Sequence, residues 1–315
     1  MCNGLMMGIL VRTYSFQFLM DFNYLLRILY DYMIIDAHAH MFTVSMSEGM
    51  LPKKIDIKHI PKEFINASKH TVKENADAWI SAMDKLGIEK TIFMASVNFN
   101  NDFTSFINSS DRLVGFAKIN PTKPDAVDIL KNEMENGMSG VKLYPTNEGF
   151  NVGSKEAYPF YEYCEKKHIP IVIHFGVTIG FRADLVNGNP LTLSTILTDF
   201  PGINFVIAHF GAGFFREVLM LRYKRQNLYV DTSGTNNWLQ NQDNFLTLKD
   251  IFKKSIEVFD DQHIIYGSDT RIFPAGYREN ILNEQISILK ELNLKKEAID
   301  NIMYNNAKNI LLSHV

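Results

Sequence analysis

The chain has 315 residues, with 32 Lys+Arg against 35 Asp+Glu, a formal net charge of −3 and 46% hydrophobic residues. That balance excludes intrinsic disorder, which needs low hydrophobicity and high net charge, and it offers no basic surface for nucleic acid. The two cysteines, Cys2 and Cys164, rule out a disulfide framework and a four-thiolate zinc cluster, and they point to a reducing, cytoplasmic setting.

Residues 1–32 read apart from the rest, as an apolar and aromatic N-terminal extension. A membrane-spanning helix needs about 20 mostly apolar residues. Arg12, Asp21, Arg27 and Asp31 interrupt every such window, so no span is expected. A signal peptide would want a basic start, an unbroken apolar run and a small-residue cleavage site, and none is evident. Two readings stand: a helical extension packed on the body, or a stretch upstream of a natural start at Met33.

From Met33 the chain alternates between two signals. Eight short runs rich in Val, Ile, Phe and Tyr read as buried strands, at 33–37, 91–95, 113–119, 141–144, 171–174, 205–208, 228–231 and 264–267. Between most of them lie helical patterns. Residues 75–86 end at Gly87 and 125–136 at Gly137, both C-cap signals. Residues 158–167 precede Pro170, and 191–200 end at Pro201-Gly202. A further helix is read at 214–224, and 279–292 and 296–312 close the chain. Eight buried strands alternating with helices imply an α/β protein of the (β/α)8 TIM-barrel type, one domain over 33–315. An open doubly wound sheet would carry a G-x-G-x-x-G turn after its first strand. Here the first strand runs into His38-Ala39-His40 instead.

Chemistry in such a barrel sits at the C-terminal ends of the strands. Four of the nine histidines fall there: His38 and His40 after the first strand, His174 after the fifth and His209 after the sixth. The eighth ends in Gly267-Ser268-Asp269, and the fourth carries Lys142. Strand side chains alternate with period two, which puts Asp36, His38 and His40 on one face. Several imidazoles and a carboxylate gathered at one mouth are the donor set of a catalytic zinc, which keeps an open position. Burying them together without an ion would be costly.

Five segments in this order resemble the amidohydrolase superfamily: Asp36-Ala-His38-Ala-His40, Gly140-Val-Lys142-Leu-Tyr-Pro145, Pro170-Ile-Val-Ile-His174, Asn204-Phe-Val-Ile-Ala-His209-Phe-Gly211 and Tyr266-Gly-Ser-Asp269. The branch indicated is the amidohydrolase-related one, which also contains aminocarboxymuconate-semialdehyde decarboxylase and lactonases. The resemblance spans Met33 to about Leu312, while 43–73 find no clear counterpart. It implies that His38, His40, His174 and Asp269 hold one divalent metal ion, most often zinc. A zinc held by imidazoles lowers the pKa of its water to about 7. Asp269 would then serve as base and afterwards as acid. His209 would act on the substrate carbonyl or bind a second metal. Lys142 is either a carboxylated bridge between two metals or, the favoured reading, an electrostatic and substrate-orienting group. Tyr144 and Asn147 would line the mouth, Arg182 and Arg271 are candidates for a substrate carboxylate, and Arg216 reads as structural. Asp36 would orient a ligand from below.

The expected function is metal-dependent hydrolysis of a small carboxylated or cyclic ester or amide. Metal-dependent decarboxylation by the same donors is the alternative. The expected partner is a small molecule, with no nucleic acid and no membrane span. Homo-oligomerisation is left open.

Overall fold

A computed structural model describes residues 32–43, 45–46, 69–97, 100–178, 183–223, 227–242 and 246–313. Residues 1–31 of the proposed extension over 1–32, most of 43–73, and Arg182 lie outside the described residues.

Nine strands form one sheet: β1 (Ile34–His40), β2 (Ile88–Met94), β3 (Leu113–Lys118), β4 (Met138–Leu143), β5 (Ile171–Ile173), β6 (Phe205–Ile207), β7 (Leu228–Asp231), β8 (Ile264–Ile265) and β9 (Thr270–Arg271). Every pairing is parallel and the order is β8-β7-β6-β5-β4-β3-β2-β1-β9. The two edges, β8 and β9, are the ends of one stretch, residues 264–271. The expected eighth strand, 264–267, is a strand only at Ile264–Ile265, which pairs with β7; β9, beyond its expected end, pairs with β1, and the sheet closes on itself. Ala37 N donates to Tyr266 O (3.0 Å) and Asp269 N to His38 O (2.8 Å) across this seam.

Among the described residues, eight helices alternate with the strands, apart from short ones at Pro145–Glu148 and Lys296–Asp300: α1 (Val72–Leu86), α2 (Asn101–Ile107), α3 (Ala126–Glu135), α4 (Tyr158–Lys167), α5 (Ser194–Asp199), α6 (Phe215–Arg222), α7 (Leu248–Phe259) and α8 (Glu279–Glu291). The structure is thus a (β/α)8 TIM barrel, as expected. Local chemistry explains the clearest helix. Thr71 and Glu74 form a capping box at the start of α1, and Gly87 ends it at φ 67°. Ala76, Trp79, Met83 and Leu86, at helical spacing, are its buried stripe. Chain direction then reverses so tightly that β2 starts at Ile88, earlier than the strand signal at Thr91. Neither α2 nor α7 was anticipated.

The core has two layers. An outer one packs the helices on the barrel and contains Trp79, Met83, Phe93 and Phe106. An inner one gathers Ile35, Ala37, Ile92, Met94, Phe116, Val172, Val206 and Ile265 from the strands, together with Tyr304, Ala307 and Leu311 from the C-terminal stretch. That stretch closes the floor: Asn306 Nδ2 donates to Asp261 O (2.7 Å) and Ile264 O (2.8 Å), below β8. Phe116 fills the interior so closely that a Cβ at Gly140 would lie 2.5 Å from its ring. A filled floor leaves polar chemistry only at the opposite, C-terminal mouth.

One expectation about β1 fails. Its pairing with β2 slips between Asp36 and Ala39. Ile35 and Ala37 belong to the inner core and Ala39 to the outer one, so the alternation changes phase across this bulge. Asp36 therefore does not share the face of His38 and His40. It bonds Tyr277 OH (2.8 Å), and Tyr277 packs edge-on against Trp79 of α1.

Candidate metal centre

The bulge is what brings the two β1 imidazoles into the mouth together. His38, His40 and Asp269 each place a donor atom within 4.8 Å of the others. His40 Nε2 lies 3.2 Å from Asp269 Oδ1. The other nitrogen of each ring is taken. His38 Nδ1–H donates to Asp231 Oδ2 at 2.7 Å, and His40 Nδ1–H donates to Met94 O at 3.1 Å. Both Nε2 atoms are thereby turned to the centre, where His40 meets Asp269, and a metal ion would take the place of any proton they carry there. Burial and the Lys142 ammonium push His38 down to about 3, so its ring is neutral at ordinary pH. Burial disfavours the Asp269 anion, but His40, His209 and His38 together hold its carboxyl well below the usual range. Two imidazoles and one carboxylate are a donor set suited to zinc.

A second group, His38, His209 and Asp231, also gathers its donor atoms within 4.8 Å. These atoms are already used. Asp231 Oδ1 accepts from His209 N (2.8 Å), from Ser233 N (3.0 Å) and from the Ser233 hydroxyl. Ser233 Oγ in turn accepts from His209 Nδ1 at 2.8 Å and lies 3.1 Å from His38 Nδ1. Burial opposes the Asp231 anion too, yet His38, His209 and Lys142 keep its carboxyl below the usual range. The group is a closed hydrogen-bond network that fixes rings; it is not an open cage of lone pairs.

Backbone strain is concentrated here. His209, Phe210, Ala212 and Asp269 all have φ between 41° and 56°. Such conformations cost about 1–3 kcal/mol each and persist only where surroundings over-determine them. At Asp269 the constraint is the 2.8 Å bond to His38 O, and at His209 it is the bond to Asp231. Gly267 permits the close approach: a Cβ there would lie 2.8 Å from His38 Cβ and 2.9 Å from Ser233 Cβ.

The remaining predicted residues surround this centre. Lys142 is fully buried, its Nζ 3.5 Å from His38 Nε2 and 5.4 Å from the centre of the Tyr144 ring. Burial lowers its ammonium to about 8 against the opposing pull of Asp231 and Asp269. Burial pushes the Tyr144 phenol up. His209 stacks obliquely on His38 at 4.7 Å. His174 stands beside His209, ring centres 4.9 Å apart, but its Nε2 faces Val177 O at 3.3 Å and it is not drawn into the triad. Arg271 lies over Phe42, which stacks on His40. Asn147 bonds Thr178 at 3.3 Å.

Three residues with a part in the site were missed. Asp231 ends β7, a place where chemistry was expected, but a lone Asp there carries no motif. Ser233 lies two residues further on. Arg278, just before α8, puts Nη1 3.5 Å from Asp269 Oδ2, and no sequence spacing links the two.

Comparison with known proteins gives the family and the fold. A family model described as amidohydrolase matches residues 35–311, and the chain belongs to that family. It is a family of metal-dependent enzymes acting on small molecules. No curated protein matches the chain. Among solved structures, similar folds include a probable 2-pyrone-4,6-dicarboxylic acid hydrolase from Acinetobacter baumannii, with citric acid bound. It is 18% identical with a TM-score of 0.60, over 88% of this chain and 98% of that one. An amidohydrolase from Burkholderia multivorans with bound zinc is 12% identical with a TM-score of 0.64, over 89% and 99%. A 2,6-dihydroxybenzoate decarboxylase from Rhizobium is 14% identical with a TM-score of 0.63, over 90% and 100%. At these identities the likeness is one of fold. Among the described residues no helix is long and apolar enough to cross a membrane.

Proposed function

We propose that the protein is a metal-dependent hydrolase that cleaves a small carboxylated or cyclic ester or amide. The observation that carries this reading is the pair of His38 and His40 Nε2 atoms beside Asp269, each ring held by a partner on its other nitrogen. These three residues hold one divalent ion, zinc by preference. His174, whose Nε2 faces Val177 O, would be a further ligand. An ion in this place activates water and polarises a carbonyl.

The side chains do the rest. Asp269 Oδ2, the oxygen turned from His40, accepts the proton of the attacking water and returns it to the leaving oxygen or nitrogen. The surrounding imidazoles keep it ionised. His209, with its Nδ1 proton committed to Ser233, has a lone pair on Nε2 and would accept a hydrogen bond or proton from the substrate. Lys142 and Arg278 set positive charge on either side of Asp269 and favour an anionic substrate. The closed Asp231–Ser233 network supports a single ion, because it leaves no second set of unengaged donors among the described residues.

A screen of the metal-loaded protein against lactones, amides and unsaturated carboxylates tests this, following both hydrolysis and CO2 release. Hydrolysis abolished by chelation and restored by zinc is expected. Metal-dependent CO2 release without hydrolysis would instead make the protein a decarboxylase.

A further inference from the structure

Asp36 was expected beneath the histidines but sits behind them, fully buried, on the other side of the β1 bulge. Its carboxylate is saturated by four donors. Oδ1 accepts from His38 N (3.2 Å) and Ser268 N (2.9 Å). Oδ2 accepts from Ser268 Oγ (2.5 Å) and Tyr277 OH (2.8 Å). Tyr266 OH, 2.9 Å from Tyr277 OH, backs the chain of hydroxyls, and Thr270 N donates to Ser268 Oγ at 3.0 Å. The bonded backbone groups are those of His38 itself and of the residue before Asp269. The clamp therefore spans the seam where the barrel closes, joining two donors that come from opposite ends of the chain. Asp269 is held there in a left-handed conformation, φ 54°, which Asp visits more readily than most residues.

We propose that Asp36 is a positioning residue: by bonding His38 N and Ser268 at once, it fixes the spacing of His38 and Asp269 and so shapes the metal site it does not touch. The proposal rests on the assignment of these two residues as metal donors. It concerns geometry, and its test separates geometry from charge. Asp36→Ala removes all four bonds. Asp36→Asn keeps an oxygen for the two backbone N–H groups, while its amide donates to hydroxyls that can turn round.

The probe is cobalt(II) chloride added to metal-free full-length protein, read by the visible d–d bands and by titration. Loss of an outer partner of a metal ligand typically weakens binding about 10–100-fold. Asp36→Ala should fall in that range with altered bands, and Asp36→Asn should recover wild-type bands and affinity within a few-fold. Leu130→Ala, a buried change in α3, should leave the bands unchanged although it destabilises the fold. If Asp36→Ala does not fold, Ser268→Ala decides, with a smaller loss and shifted bands expected. Wild-type bands and affinity in whichever of these two folds would overturn the proposal, as would Asp36→Asn failing as badly as Asp36→Ala. Wild-type protein that binds no cobalt would instead remove the metal assignment on which the proposal stands.

Discussion

The two sides of the mouth are built differently. On the β7–β8–β1 side, His38, Asp231, Ser233, Asp36 and Ser268 bond one another at 2.5–3.2 Å, and one residue more or less on any strand would break the set. On the β4–β5 side the contacts are longer: Lys142 reaches His38 at 3.5 Å, and Tyr144 and His174 meet only as rings 6.2 Å apart. A network whose members are all satisfied is rigid, and deleting one member leaves buried groups unpaired. A looser side can adjust to what binds it. On the proposed reading the seam would set the metal geometry, and the β4–β5 side would receive the substrate.

Substitutions can break this division. The largest effect is expected at Asp269. Asp269→Asn keeps one oxygen donor but cannot take a proton, and turnover should fall about 10²–10⁴-fold while bound metal is largely retained. Steady-state kinetics with metal analysis checks it, and near-normal turnover would reduce Asp269 to a structural part.

Next is Gly267→Ala on the rigid side. Its Cβ would press on His38 Cβ at 2.8 Å and Ser233 Cβ at 2.9 Å, neither of which has room to yield. Overpacking of this kind costs about 1–3 kcal/mol, measurable by denaturant unfolding. Metal affinity should fall with it. Unchanged affinity would show that the seam is less rigid than its bonds suggest.

On the looser side, Lys142→Ala should keep metal stoichiometry at one and raise KM for an anionic substrate more than it lowers kcat. Loss of a metal on this substitution, together with a response of the wild type to bicarbonate, would identify a carboxylated bridge. His174→Ala should lower metal affinity less than His38→Ala does, because the His174 ring must turn to bind. Equal losses in the two titrations would place His174 on the rigid side. The smallest effect is expected from starting the chain at Met33: metal content and turnover should not change.

Much of this was legible in the sequence, for identifiable reasons. Buried parallel strands read as unbroken apolar runs, and strand-end histidines stand out because imidazoles are rare there without purpose. Helix α7 carries local signals too, the Thr247–Asp250 capping box and its buried Ile251, Phe252, Ser255 and Phe259. The phase of β1 was not legible. Asp36-Ala-His38-Ala-His40 alternates cleanly on paper, and only the slip against β2 shows that Asp36 points away. Asp231, Ser233 and Arg278 owe their place to contacts across about two hundred residues or to a turn before a helix, which no local pattern encodes.

The central claim is a single divalent ion held at the seam by His38, His40 and Asp269. It is tested most directly by elemental analysis of the full-length protein after zinc reconstitution and removal of loosely bound ions. One zinc per chain in the wild type, falling toward zero in a His38→Ala, His40→Ala double variant that still folds, is the predicted result. Two ions per chain in the wild type, none at all, or one that survives the loss of both histidines would contradict it.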